Sequence, residues 1–387
     1  MDDDKKYLLL TSCWLLFAWL FAYRGILVAM LPSMVSSLSL TNTMVGSLVG
    51  VLWTSDALGS FPAGVATGFL DRRKLLALSI SLSAIFMLVF ITLHAFPMML
   101  ISLFFAGLGF GSYYPIGISL LSERFRGSRL GVILGIHETA VPIGATVGPL
   151  IASLLLAIQL DWTSILALGL MAVPAIVFLL SQTARGKKPL PTSKGIGFRI
   201  SSWKTYTLII AFAVCVIGLD TGLTSMIPIY MVDVLQVSNS EAALVYGATR
   251  VFGILGIVIA GYLSDRMNRN TILVVAISLA TSAGIAIALL PYGAFFIIAL
   301  AVMAAASSSY WPVLMTVMSG ITSNDDLPKV IGFQRLFNGL LGAGLTPVVI
   351  GFLADTFGFR TALTYPVALG AIGIIAAVSL RGNASIR

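Results

Sequence analysis

The sequence predicts an all-α membrane protein whose twelve transmembrane helices fall into two pseudo-symmetric six-helix bundles. Three observations carry this. Of 387 residues, 58% are hydrophobic and 10% charged, where ordinary soluble proteins carry about 25% charged residues. With a mean hydropathy of +1.01, a lipid-facing surface is what fits the chain. Twelve apolar runs approach the roughly 20 residues that cross about 30 Å of hydrocarbon at about 1.5 Å each. The second six runs also repeat features of the first at a nearly constant offset.

In chain order the runs lie near 8–31, 44–69, 75–94, 97–121, 130–157, 163–181, 206–232, 241–264, 271–290, 294–317, 330–354 and 360–380. They are continuous, whereas membrane strands alternate in hydrophobicity over about 10 residues, so the spans are helices. The run after Met1–Lys6 exceeds a signal-peptide core of about 7–15 residues and reads as a retained first span. Cys13 and Cys215 each lie in an apolar run and read as small buried hydrophobes. The longest polar connection, 183–203, contains RGKKPLPTSKGIGFR and divides the chain into bundles at 1–182 and 204–387. Its end, with Phe198 and Trp203 among Arg199 and Lys204, suits either a segment at the membrane surface or a solvated linker.

The net charge of +8 reports topology. With both termini inside, nineteen of the 23 Lys and Arg fall in cytoplasmic termini and loops and only Arg360 falls outside. Arg24, Arg250 and Arg335 remain, all within spans. A nucleic-acid partner is not needed to explain the basic balance.

Self-similarity relates the halves. Ser112-Tyr113-Tyr114-Pro115 matches Ser309-Tyr310-Trp311-Pro312 at an offset of 197, which also pairs Gly135 with Gly332. Asp71-Arg72 matches Asp265-Arg266 at 194, and Pro32 matches Pro228 at 196. Six spans plus six, a basic central linker and paired acidic-basic loops resemble the major facilitator superfamily. G-Y-L-S-D-R-M-N-R-N at Gly261 to Asn270 resembles that family's loop signature G-x-L-x-D-R-x-x-R. The resemblance implies a conformational latch carried by Gly261, Asp265, Arg266 and Arg269. Its first-half copy, with Asp71 and Arg72, is degenerate, with Thr67 in place of the glycine.

In the fifth span, Gly135, Gly144, Gly148 and Pro149 have the spacing G-x8-G-x3-G-P, similar to the family's antiporter signature; Ala152 and Ser153 replace its last two glycines. Small residues let helices approach and pivot, and a proline frees a carbonyl; tight helix packing accounts for the pattern equally well. The fourth span lacks the arginine in which the family's drug-efflux members resemble one another. Gly107, Gly109 and Gly111 sit in an apolar run without a preceding strand, so they read as helix packing rather than a nucleotide loop.

Charged residues inside a span cost at least about 2.5–3.5 kcal/mol and normally face a partner or a wet cavity. Six stand out: Arg24, Asp56, Glu138, Asp220, Arg250 and Arg335. The repeat offsets relate Arg24 to Asp220, Asp56 to Arg250 and Glu138 to Arg335, each pair with opposite signs. In the family's fold helices 2 and 11 meet, as do 5 and 8, so the resemblance implies Asp56 with Arg335 and Glu138 with Arg250. Arg24 and Asp220 become candidates for an outer gate. Static salt bridges that fix helix register are one reading. The other is that protonating Asp56, Glu138 or Asp220 releases an arginine, which then holds a substrate carboxylate bidentately. His137, beside Glu138, reads either as a proton relay or as a packed ring. Tyr113, Tyr114, Tyr310 and Trp311 read as aromatic walls of the site or as kinked helix ends.

No P-loop G-x-x-x-x-G-K-[ST] occurs, so the expected energy source is an ion gradient. The leading expectation is a non-enzymatic secondary transporter that moves a small organic anion, such as a monocarboxylate, by symport with protons, in a direction the sequence leaves open. It would use no cofactor or metal and work as a monomer in the lipid bilayer of a prokaryotic plasma membrane. A proton-exchanging drug or metabolite exporter is the alternative, and a non-transporting membrane sensor or membrane-embedded enzyme stands third.

Overall fold

The structure, a computed structural model, describes residues 2–125, 130–183, 199–323 and 326–380. Most of the linker, Arg126, Arg129, Arg381 and Arg387 lie outside the described residues. Among those described are twelve helices long and apolar enough to cross a membrane. The first six are α1 (Lys5–Leu38), α2 (Asn42–Ala66), α3 (Arg72–Thr92), α4 (Phe96–Arg124), α5 (Leu130–Ala157) and α6 (Trp162–Gln182). The second six are α7 (Trp203–Gly222), continued by Ile227–Asp233, then α8 (Asn239–Ser264), α9 (Arg269–Leu289), α10 (Ala294–Ile321), α11 (Lys329–Phe357) and α12 (Phe359–Ser379).

Helix α1 runs past Pro32, where the apolar pattern predicted its end. Packed membrane helices tolerate an internal proline, because neighbouring groups satisfy the backbone it frees. Elsewhere prolines do interrupt. Helical geometry breaks at Thr139, Met171, Ser309 and Leu363, each three residues before Pro142, Pro174, Pro312 or Pro366. A proline supplies no N–H to the carbonyl four residues back, and its ring crowds the preceding turn. Thus SYWP contains a break, whereas SYYP continues as regular helix.

Within the first bundle α2 and α3 pack on α4, and α1 packs on α5; their repeat mates α8 and α9 pack on α10, and α7 on α11. The bundles meet through α2 with α11 and through the second half of α5 with the first half of α8. The α2–α11 contact continues to mid-membrane at Ala57 and Gly339, but most of these contacts lie in the half of the molecule away from the chain termini, here the distal end. There the Asp355 carboxylate on α11 accepts hydrogen bonds from the Asn42 amide and side chain, both 2.9 Å, and from the Thr43 amide at 2.8 Å and hydroxyl at 2.6 Å. These donors open α2, so a carboxylate from one bundle caps a helix of the other. Ser153 and Ser240 exchange hydroxyl-to-carbonyl bonds of 2.7 and 2.9 Å, and Asn239 donates to the Ser33 hydroxyl at 3.0 Å. At Gly46 the Pro347 carbonyl occupies the space that a Cβ would take.

The terminal end is built differently. Leu130–Glu138, the first part of α5, packs against α1 and α4, and Phe252–Ser264 of α8 packs against α9 and α10, each within its own bundle. Gly131, Gly135, Gly261 and Gly332 have open space where a side chain would stand. The buried core follows the same division. One cluster extends from the first bundle into the distal parts of α7 to α12, reaching Tyr230, Phe296 and Phe359. The terminal part of the second bundle keeps a separate cluster around Tyr206, Phe212 and Val317. The halves are therefore joined at the distal end and parted at the other.

Candidate substrate and proton site

Two salt bridges lie near mid-membrane. Arg24 on α1 donates from Nη2 to Asp56 Oδ1 on α2 at 2.6 Å, and both residues are 7% exposed. Trp53, Phe21 and Phe110 surround the guanidinium at 4.7, 5.3 and 5.5 Å from its carbon. Their electron-rich faces stabilise a cation that has lost its water, while Arg24 Nε keeps no hydrogen-bond partner. In the second bundle Arg250 on α8 donates from Nη1 to Asp220 Oδ1 on α7, also at 2.6 Å. Arg250 also binds the Thr224 hydroxyl, and its guanidinium lies 5.3 Å from the Tyr246 ring.

The bridges are repeat mates with their signs exchanged, one across α1 and α2, the other across α7 and α8. The pairing of Asp56 with Arg335 and of Glu138 with Arg250 across the seam is thus not the observed one. The predicted helices do meet, α2 and α11 even at the level of the charges, where Gly339 packs on Ala57, yet Asp56 turns to Arg24 of its own bundle and Arg250 to Asp220. Repeat spacing indicates depth in the membrane; it leaves open the direction in which a side chain leaves its helix.

Asp220 sits in Gly218–Gly222, a π-helical stretch, and α11 has a second at Asn338–Leu345. The two pack together, with Gly222 against Thr346 and Gly342. Such widened turns recur at functional sites; a glycine-rich apolar run signals close packing but does not distinguish a π turn from an α turn.

Arg335 on α11 reaches into the first bundle. Its guanidinium carbon lies 4.1 Å from the ring centre of Tyr114 on α4, and the Tyr114 hydroxyl interacts with both Arg335 and Glu138. Among the described residues, no carboxylate lies within 4.0 Å of Arg335. Next to Tyr114, the Tyr113 hydroxyl contacts the Cys13 carbonyl at 2.5 Å and His137 Nε2 at 2.7 Å. Phe17 stacks on Tyr113 at 4.7 Å and on His137 at 4.8 Å. Pro142 leaves the Glu138 carbonyl without its helical donor, and α5 breaks there, just after the His137–Glu138 step.

Arg24, Asp56, Tyr113, Tyr114 and Arg335 line one small cavity of about 40 Å³ between the bundles, with Trp53 and Phe110 in its wall. A larger cleft of about 420 Å³, lined by Ser33, Gln159, Asp161 and Asn239, opens at the distal surface away from these charges. Tyr310 is buried against Phe212 and within electrostatic reach of Asp220 and Arg335. Trp311 touches Tyr310 and is absent from the cavity wall. Trp53, Phe21, Phe110, Thr224 and Tyr246 do not stand out in the sequence, where their signal merges with general apolarity. Asp355 does not either, because an acid at a span end reads as an ordinary interfacial residue.

The residues assigned to gating lie within single bundles or at the joined end. Asp71 caps α3 by accepting from the amides of Arg73 and Lys74 at 2.9 and 3.2 Å, and Arg72 pairs with Glu123 at 2.8 Å. Asp265 ends the α8 helix, Arg266 stacks 3.9 Å from the Tyr262 ring, Gly261 has open space beside it, and Arg269 opens α9. Gly144 and Gly148 pack against the Ala18 and Ala22 carbonyls of α1, while Pro149 touches Gly247 across the seam.

The sequence profile of the Major Facilitator Superfamily matches the chain twice, over residues 13–295 and 210–385. The chain belongs to the Major Facilitator Superfamily. It is 23% identical over 349 residues to a protein of Cupriavidus pinatubonensis named a probable 4-methylmuconolactone transporter, covering 86% of this chain and 80% of that one. It is 24% identical over 373 residues to YfnC of Bacillus subtilis, an uncharacterized transporter of the superfamily, covering 91% and 88%. The crystal structure of a bacterial homologue of the human lysosomal transporter Spinster, inward-facing and unoccupied, superimposes with a TM-score of 0.84 at 18% identity over 98% of both chains. The fold is that of the Major Facilitator Superfamily, and the protein is an integral membrane transporter of that superfamily.

Proposed function

We propose that this Major Facilitator Superfamily protein carries a small organic anion of the monocarboxylate type by symport with protons. The halves would rock about the central cavity of a monomer, with both termini cytoplasmic in a prokaryotic plasma membrane. One observation carries the reading. Arg335 reaches across the seam to a cavity and an aromatic face instead of a carboxylate, and a cation at membrane depth favours an anionic partner. Arg24 and Arg250 are the further anion-facing groups, and Tyr113, Tyr114, Tyr310 and Trp311 supply amphipathic walls. Asp56, Glu138, His137 and Asp220 are the proton-handling candidates. In this reading the parted terminal end is a cytoplasmic opening, and Asp71, Arg72, Gly261, Asp265, Arg266 and Arg269 would latch it when it closes. A relative named for 4-methylmuconolactone transport agrees with a small organic solute.

Proton-driven export is the second reading. It is favoured by the contact of Pro149 with Gly247 across the seam, because Pro149 closes the antiporter-like glycine pattern. Proteoliposomes separate the two. Labelled monocarboxylates should accumulate inside when an imposed pH gradient drives protons inward. Accumulation only with the gradient reversed would replace symport by exchange, and no movement of any organic solute by folded protein would end both readings.

A further inference from the structure

We infer that the coupling proton is held by a His137–Glu138 dyad that Arg335 senses through Tyr114, and that one proton moves with each monovalent anion. This rests on the symport reading above. Tyr113 has one hydroxyl hydrogen, and at 2.5 Å it goes to the Cys13 carbonyl, which can only accept. The 2.7 Å contact with His137 Nε2 must then be donated by the ring. A neutral His137 therefore presents a bare lone pair at Nδ1. That atom is buried without a hydrogen-bond partner and lies 3.5 Å from Glu138 Oε1. Two acceptors face each other, and one proton between them satisfies both, as imidazolium with carboxylate or as imidazole with carboxylic acid. Proton uptake changes the net charge of the dyad from −1 to 0.

The groups facing the dyad are Cys13 on α1, Tyr113 and Tyr114 on α4, and Arg335 on α11. Among the described residues, only this chain of contacts runs from a proton site in one bundle to a cation in the other. Asp56 and Asp220 are bound to arginines of their own bundles, so a rocking motion of rigid halves leaves those pairs intact, and they act as fixed counter-ions. The Glu138 side chain is 38% exposed while His137 is 0% exposed. A proton arriving from the parted end thus meets Glu138 first.

Charge balance gives the stoichiometry. Arg24 with Asp56 and Asp220 with Arg250 each sum to zero, as do Arg335 and the unprotonated dyad. One proton on the dyad and one monoanion on Arg335 keep the sum at zero, so the loaded centre crosses the membrane without moving net charge.

His94 and His137 are the two histidines of the chain, so 15N NMR of labelled histidine in the full-length protein reads the tautomer directly. His137 should carry Nε2–H at every pH, and acidification should change its Nδ1 resonance as a proton enters between Nδ1 and the Glu138 carboxylate, a response that Glu138→Gln should alter. An Nδ1–H tautomer with bare Nε2, or an Nδ1 response to acid identical in Glu138→Gln, overturns the dyad. In proteoliposomes with a panel of labelled monocarboxylates, Glu138→Gln should keep counterflow and lose gradient-driven accumulation by at least about tenfold, the size of one charge-assisted hydrogen bond. Asp56→Asn and Asp220→Asn should lose both activities together; loss of accumulation alone would reassign the proton to them. Accumulation driven by membrane potential alone would overturn the one-to-one ratio. If wild type accumulates nothing under a pH gradient, the symport reading falls; if wild type and Glu138→Gln accumulate alike, the dyad alone falls.

Discussion

The distal and terminal ends of this transporter hold their halves in different ways. At the distal end the bundles share one apolar core, a helix cap crosses from α11 to α2, and backbone meets backbone at Gly46. At the terminal end each bundle satisfies its own side chains, as Arg72 does with Glu123, and the glycines of α5 and α8 face open space. Closure is therefore a property of a few seam contacts, while each bundle is held by its own packing. Alternating access requires this, because contacts that close one end must be weak enough to give way to those that close the other.

The largest expected effect falls inside one bundle, where neither end is involved. Asp56→Ala leaves Arg24 buried without its acid and should cost about 3–5 kcal/mol, seen as lost folded yield. Adding Arg24→Ala should restore yield, whereas adding Arg335→Ala should not. Restoration by Arg335→Ala would mean that the seam and the bundle are not separable.

Substituting the same side chain at the two ends tests the comparison directly. Gly46→Leu puts a side chain where the Pro347 carbonyl stands and should destabilise distal closure by about 1–3 kcal/mol, lengthening spin-label distances between the distal ends of α2 and α11. Gly135→Leu meets open space and should leave those distances and the thermal stability unchanged, while slowing transport if that face must close. Equal effects from the two would remove the distinction between the ends.

Asp355→Ala removes an acceptor of four hydrogen bonds across the seam. With water competing at the surface, distal closure should weaken by about 1–3 kcal/mol, read as increased labelling of cysteines placed on the distal faces of α2 and α11. Unchanged labelling would assign closure to apolar packing alone.

The smallest effect belongs to Asp161, which caps α6 at the distal surface without crossing the seam. Hydrogen bonds from Thr163 and Ser164 hold its carboxyl down at about 2. A depressed carboxylate contributes stability that is full above its unfolded value of about 3.9 and is lost as pH falls through the folded value. Asp161→Ala should lower stability at pH 7 by about 1 kcal/mol, with the difference shrinking as pH falls from about 4 toward about 2. A difference independent of pH over that range would show that the carboxylate is not the capping group.

The membrane environment, the number of helices and the relation between the halves are legible in the residue pattern, because hydrocarbon imposes a length and a polarity on every span. The pattern also singles out the six intramembrane charges, since charge in lipid is costly enough to stand out one residue at a time. Their partners emerge only from the packed helices. Offsets of 194 to 197 residues fix membrane depth, but a helix turns about 100° per residue, and the packing of α1 on α2 and of α7 on α8 turns Arg24 and Asp220 toward acid and base within their own bundles. The aromatic cage of Arg24, the π turn at Asp220 and the Asp355 cap were equally invisible. Each joins chemically ordinary residues that are distant in the chain, and only the packed helices bring them together.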